Sequence, residues 1–455
     1  MNRKLVLALI SSALMLFMLY VSPESLEAKA SNGYKVHNAV TGLDYASIQE
    51  AIDANETLDG HAILVDSGIF HEQVTIRKSL SIIGQSRYST TIDGNRTSTA
   101  VNIIADNVSL REFTVTNGSI GISVNHSSNS FISRNILVDN IDAIVVRYST
   151  DCEISDNIVG NNTNRGILVT NSGDFTVSRN SVYGTGWYGI NANTSLHGKI
   201  MRNLVYKNSF DGIGLFNSSN CEIAGNDVSD NVAYGILIDF HSSHNSIYHN
   251  NIINNGIQAV TSSLNMWNSN NEGNYWSDYA GTDHNSDGIG DTLHTVDSGE
   301  DLYPLMGVFR SFNTSLGRTV NVISNSTIEG FEYFDSNSTI RMQATNSSGS
   351  QIFGFCRIRI PSGLVNVANI SVVIDDGSIP VFKSNYTLDD NDTHRWMYFA
   401  YEHSTRRIAI IPEFPTIVLL APLTAGTFLV LYLRKRNLNQ KLEYSLAWTY
   451  SHGHA

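Results

Sequence analysis

Along the middle of the chain, apolar residues return to the same place about once every 23 positions. One asparagine sets the frame: Asn135, Asn157, Asn180, Asn203, Asn226 and Asn250. Three positions before it stands Ile132, Ile154, Val177, Ile200, Ile223 or Ile247; two after it stands Leu137, Val159, Val182, Val205, Val228 or Ile252. A small residue follows at Ala143, Gly166, Gly189, Gly212, Gly235 and Ala259, then Ile144, Ile167, Ile190, Ile213, Ile236 or Val260. Within each short stretch apolar and polar residues alternate, which is the period of a strand and not of a helix. One short strand cannot bury its face alone, but copies in register can share a continuous core. The pattern predicts an all-β solenoid, a parallel β-helix whose coils stack about 4.8 Å apart. The recurrent Asn and Gly are expected at the corners, where left-handed backbone and side-chain-to-backbone bonds are needed. A leucine-rich repeat has a similar period but needs a Leu-x-x-Leu-x-Leu frame, which is absent.

The stacking carries a consequence for cysteine. Cys152 and Cys221 both lie five positions before the repeat Asn, so they share a column three coils apart. That is about 14 Å, beyond the reach of a disulfide. Both read as buried thiols.

The pattern changes on either side. "DYASIQEAIDAN" predicts a short amphipathic helix, with Ser47 and Glu50 as a capping box and Ile48, Ala51 and Ile52 on one face. A solenoid needs its open end covered, so this helix is the expected N-terminal cap. Residues 311–411 alternate and turn often, which predicts seven or so strands in an antiparallel β-sandwich; Cys356 reads as a core thiol there. Residues 1–30 have Arg3 and Lys4, an apolar run and Ala28-Lys29-Ala30, the pattern of a signal peptide. Phe414 to Leu433 is apolar over a bilayer-spanning length and is followed by Arg434, Lys435 and Arg436. A transmembrane helix at 412–433 and a cytoplasmic tail at 434–455 are expected. The full division is then 1–30, solenoid with cap helix 31–282, an Asp-rich capping loop 283–310, sandwich 311–411, membrane helix and tail.

Composition sharpens the picture. The 455 residues hold 29 Lys plus Arg against 42 Asp plus Glu, a net charge of −13, which argues against nucleic acid as a partner. Sequons at Asn55, Asn95, Asn107, Asn117, Asn125, Asn161, Asn193, Asn217 and further along fit an extracellular glycoprotein. The three cysteines make no disulfide framework and no zinc spacing.

"ASIQEAIDAN", "HEQVTIRKSLSIIGQ", "TTIDGN", the Asn/Gly-marked coils and "GNYWSDYAGTDHNSDGIGDTLHTVD" through "DLYPLM" together resemble the NosD-like periplasmic copper-binding proteins. More broadly they resemble the carbohydrate-binding and sugar-hydrolase β-helix repeat proteins of archaeal and bacterial surfaces. The resemblance covers roughly residues 35–306. It implies a right-handed β-helix and leaves the activity open, because the family holds accessory proteins, binders and enzymes. "GFCRIRIP" and "YFAYEHSTRRIAIIPEFP" resemble β-sandwich modules that precede membrane anchors in archaeal surface proteins.

Candidate chemistry falls at four places. "DHNSDGIGD" has the spacing of a calcium loop: Asp283, Asn285 and Asp287 as side-chain donors, Gly288 at the turn, Ile289 through its carbonyl, and Asp291. The twelfth position should be a bidentate carboxylate and is His294, so Asp297 or Asp301 would have to fold back. The loop otherwise resembles the Asp-rich calcium loops of dockerins. Catalysis on a β-helix asks for carboxylates on neighbouring coils. The position before each corner holds Asp142, Arg165, Tyr188, Asp211, Tyr234 and Gln258; Asp142 and Asp211 are too far apart to act as a pair, and no column is expected to stack two carboxylates on consecutive coils. Asp142 with Arg165 reads as an ion pair. Trp187, Tyr188, Phe210 and Tyr234 gather at one corner, where ring faces can hold sugars and Asp211 and Asp239 can accept their hydroxyls. Packing of those rings among themselves is the competing reading. Copper, implied by the resemblance, asks for convergent His and Met; His241, His244 and His249 lie within one coil with Met266 beyond, at no tight ligand spacing. The sequence is read as a membrane-anchored cell-surface protein binding polysaccharide or surface partners. A polysaccharide lyase or glycoside hydrolase, and a copper-handling accessory protein, remain the alternatives.

Overall fold

A computed structural model describes residues 35–412, save for 97, 347–350, 366–369, 376–381, 384–386, 392 and 403–404. The expected signal peptide, membrane helix and tail lie outside the described residues. Among the described residues no helix is long and apolar enough to cross a membrane. Two compact units stand out among the described residues: 35–279 with 294–302, and 280–293 with 303–412.

The first unit is a parallel β-helix. Strands return to three sheets of eleven, ten and nine members; past an antiparallel start at Val36–Asn38 and Asp44–Tyr45, strands pair in parallel with those of the coils before and after. Ile144, Ile167, Ile190, Ile213 and Ile236 pair in sequence down the third sheet, and each is fully buried. The residue before them is small for a steric reason. A Cβ on Gly189 would stand 2.7 Å from the Gly212 carbonyl and from a Val205 methyl group.

The repeat asparagine makes the expected side-chain-to-backbone bonds without the expected left-handed conformation. It is not the left-handed residue; the residue before it is, as at Arg134, Asp156, Arg179 and Arg202. The asparagine itself is buried and forms an internal ladder. Asn203 Oδ1 accepts the Asn180 backbone N–H at 2.9 Å and the Asn180 amide at 3.0 Å, and Asn203 Nδ2 donates to the Val177 carbonyl at 2.8 Å. A second ladder joins Asn140 to Asn162 and resumes from Thr185 through Asn208 and Asn231, and a third runs through Ser149, Ser172, Ser195 and Ser218. The left-handed turn leaves backbone N–H groups pointing into a dry core, and these side chains supply their acceptors.

Both ends are closed. The helix Ile48–Asp53 lays Ile48, Ala51 and Ile52 over the core. Ser47 accepts the Glu50 N–H, while Glu50 accepts from Ala46 and not from Ser47, so the expected box closes one residue earlier. Gln49 bonds both backbone groups of Thr75, taking the place of a missing strand at that edge. At the other end Trp267 and Trp276 are buried, and the hairpin His294–Val296 with Gly299–Asp301 lies in this unit. Asp301 Oδ2 accepts the Asn274 N–H at 2.8 Å and the Trp276 indole at 2.9 Å. A carboxylate thus stands where the next ladder asparagine would be, and the ladder ends without an orphaned donor.

The second unit contains two antiparallel sheets of five strands each among the described residues, ten in place of seven or so. Val320, Ile358 and Met397 of one sheet and Ile340, Val372 and Ile410 of the other share one core with Cys356. Cys152, Cys221 and Cys356 are all free and buried.

Candidate functional site

The outer face of the third sheet carries the aromatic corner. The strands there are Asp142–Arg147, Ile167–Thr170, Ile190–Asn193, Ile213–Phe216 and Tyr234–Ile238. At the edge of this sheet, Gly166 bonds the Tyr188 carbonyl, Gly189 that of Asp211, and Gly212 that of Tyr234, so these residues form one column. Trp187 stacks on Tyr188 with centroids 4.7 Å apart. Phe210 meets Tyr188 edge-on at 5.6 Å and Trp187 at 6.3 Å. Phe216, which the sequence reading passed over, meets Tyr188 edge-on at 5.5 Å. Gly214 makes room for it, since a Cβ there would stand 2.7 Å from the Phe216 ring. An outward aromatic two residues after an outward glycine was the signal available. Trp187 and Phe210 remain exposed at 42% and 38%.

Asp211 sits within this corner and is fully buried. One carboxylate oxygen, Oδ1, accepts the Tyr234 N–H at 3.2 Å. Oδ2 has no hydrogen-bond partner. Burial raises its carboxyl from the ordinary 3.8 to about 6, the Tyr234 bond opposing. Tyr188 is raised as well, first by burial and then by the Asp211 charge, with Arg165 opposing. Asp239 is at the far end of the neighbouring strand. Its carboxylate accepts N–H groups of Asn217 and His241 and the Ser242 hydroxyl, so it serves a turn away from the rings.

Three coils earlier the same column position holds Asp142. Its carboxylate accepts the Arg165 N–H, as Asp211 accepts that of Tyr234, and it also takes the Asn164 amide at 2.8 Å and the Arg165 guanidinium at 3.1 Å. The expected ion pair is present. The expectation about carboxylate columns fails elsewhere: Asp151 and Asp174 occupy matching left-handed positions on consecutive coils, both exposed. Their columns differ from that of the rings.

In the Asp-rich loop the side chains bind the loop's own backbone. Asp283 accepts from Asp287 and Gly288, Asn285 from Asp287, Asp287 from Ile289, and Asp291 from His284. Arg357 donates to the Asp287 carbonyl at 2.9 Å. The loop groups with the sandwich unit, while Asp301 and His294 belong to the solenoid unit. Asp301 is engaged in the ladder end, and His294 stacks on Trp276 at 4.5 Å. Among the described residues no three His, Cys, Asp or Glu side chains gather as a metal site. The copper donors are no better placed. His249 is buried against Glu272 at 2.8 Å, His244 bonds Ser243, and Met266 is exposed. These residues do not fit a copper centre.

The architecture defines a parallel β-helix with a polar inner ladder and a ring-lined outer corner. Residues 54–281 match the family described as periplasmic copper-binding protein (NosD), and the chain belongs to that family. It is 30% identical to a cell surface glycoprotein of Methanothermus fervidus over 27% of this chain and 20% of that one. It is 38% identical to a probable ABC transporter binding protein NosD of Pseudomonas aeruginosa over 19% of this chain and 22% of that one. The aligned stretches thus span about a fifth of each curated relative. Among solved structures, the A-module of an Azotobacter vinelandii mannuronan C-5 epimerase aligns with 52% of this chain and 79% of its own, at 18% identity and a TM-score of 0.38. A pectin methylesterase aligns with 52% and 94% respectively, at 12% identity and a TM-score of 0.31. Scores this low say nothing about the ligand.

Proposed function

We propose that this is a cell-surface protein that binds polysaccharide at the corner formed by Trp187, Tyr188, Phe210, Asp211 and Tyr234, with Phe216 behind it. The observation that carries the reading is the conjunction of ring faces open to solvent with a buried carboxylate lacking a partner. Ring faces cover the apolar side of a sugar, and the carboxylate accepts its polar hydrogens. The sandwich unit serves as a spacer, and 412–433 as the single membrane anchor, with 31–411 outside the cell. The Methanothermus relative, a cell surface glycoprotein, agrees with that address. Replacing Trp187 and Tyr188 with Ala abolishes retention on immobilised polysaccharide; unchanged retention refutes the site.

Calcium at Asp283, Asn285, Asp287, Ile289 and Asp291 is part of the proposal on its oxygen-rich donor set. It requires those carboxylates to turn from their N–H partners toward a shared ion. A lyase reading has one supporting observation, the raised Asp211 carboxyl beside the Tyr188 phenol. Hydrolysis by two carboxylates has none at this corner, since the column neighbours of Asp211 are tyrosines. Unsaturated sugar products would decide for the lyase.

A further inference from the structure

Asp142 and Asp211 are the same position of the same column, three coils apart, and they differ in what answers the carboxylate. Both accept the N–H of the residue one coil on. At Asp142 an amide and a guanidinium complete the shell. At Asp211 the matching residues are Ala233 and Tyr234, which bring no cation, and Oδ2 is left without a donor although the side chain is fully buried. A buried carboxylate oxygen without a donor is rare in folded proteins and marks a place where a partner is missing. The charge of Asp211 acts on Tyr188, and Tyr188 packs with the rings of Trp187, Phe210 and Phe216, whose π systems attract cations. The charged and titratable groups of this column are Asp142, Arg165, Tyr188, Asp211 and Tyr234; Arg165 is already held by Asp142.

We propose that the corner recognises an amine-bearing sugar, a hexosamine unit whose ammonium takes at Asp211 the place that the Arg165 guanidinium takes at Asp142. The proposal rests on the polysaccharide reading above and narrows it to one class of glycan. The sugar ring lies on Trp187 and Phe210 at the solvent edge, and a displaced ring admits the ammonium to Oδ2. The net charge of −13 favours a cationic ligand.

The test uses the full chain and calorimetric titration near neutral pH. The probes are a fully deacetylated chito-oligosaccharide, its fully N-acetylated counterpart, and an oligogalacturonate. The wild type binds the deacetylated probe about tenfold or more tightly than the acetylated one, the range expected of a charge-assisted pair. Asp211→Asn removes that preference by weakening the deacetylated probe about tenfold more than the acetylated one. Asp174→Asn, the same change of net charge at another corner, keeps it, which separates recognition from general attraction. Equal affinity for the first two probes, tighter binding of the oligogalacturonate, or a preference that survives Asp211→Asn overturns the proposal. If both chito-oligosaccharides bind equally and Trp187→Ala abolishes both, only the amine assignment fails. If no probe binds, the polysaccharide reading fails with it.

Discussion

Asp211→Asn should stabilise the protein, and only at the pH where the carboxylate is charged. Folding moves this carboxyl from its ordinary 3.8 to about 6, with burial as the leading cause. Each whole unit is worth about 1.4 kcal/mol, so holding the anion at neutral pH costs about 3 kcal/mol. The sign follows from proton binding. Between 3.8 and 6 the folded state holds the proton more tightly than the unfolded chain, so stability falls as pH rises through that window and is level above it. Asparagine keeps an acceptor for the Tyr234 N–H and places an amide donor where Oδ2 stands. That donor has no acceptor, which returns about 1–2 kcal/mol. A net gain of about 1–2 kcal/mol is expected at pH near 7.5, vanishing or reversing at pH near 4. Urea unfolding followed by fluorescence of the buried Trp267 and Trp276 reads it. Equal stability of variant and wild type at the higher pH, or a gain that persists unchanged at the lower, refutes the reasoning. A variant that is more stable yet has lost its ligand preference would show that the unpartnered carboxylate is kept for binding.

Asn203→Ala removes an acceptor from the buried Asn180 N–H and amide and should destabilise by about 3–4 kcal/mol, read as a lower urea midpoint. A loss under about 1 kcal/mol would mean that water enters the ladder. Thr194 is a β-branched residue at φ 50, so Thr194→Gly should raise stability by about 1 kcal/mol, measured the same way. A chelator should lower the melting temperature of the sandwich transition if the Asp-rich loop holds calcium, and an unchanged temperature removes calcium from the proposal.

The solenoid was legible because its core is written in the strongest available signal, a run of β-branched residues at fixed spacing. Ile154, Ile167, Ile200 and Ile213 lie inward as the period requires. The polar ladder was only half legible. The recurrence of asparagine and its bonds to the backbone were plain, but the left-handed conformation falls on the residue before it. Asn and Gly favour the left-handed region, yet here Arg134, Arg179 and Arg202 occupy it and the asparagine turns inward. Propensity lost to the need of buried N–H groups for an acceptor. At the rings, the corner column gathered Trp187, Tyr188 and Phe210, while Phe216 depends on the gap left by Gly214, a pairing across strand positions that a single column does not show. Asp301 was the least readable. Nothing local distinguishes it from the other acids near the loop, and its place is fixed by the end of a ladder whose previous member is Asn274.

The arrangement separates what holds the solenoid from what it can bind. Inward columns and the three ladders carry the stability, and each strand of a coil pairs only with those of the neighbouring coils. Outward positions can then change one coil at a time without touching the core. Asp142 and Asp211 show the result within one molecule, since the backbone bond to the next coil is the same at both. Where Arg165 and Asn164 answer the carboxylate, the position is complete and needs no ligand. Where alanine and tyrosine stand in their place, the same fold leaves one oxygen unanswered in the corner that holds the rings. Installing the complete shell at the second position tests this directly. Ala233→Asn with Tyr234→Arg should raise stability at neutral pH and abolish the preference for the amine-bearing probe, because the protein would then supply its own cation. If the double variant still prefers the deacetylated probe, the ammonium is bound somewhere other than Asp211.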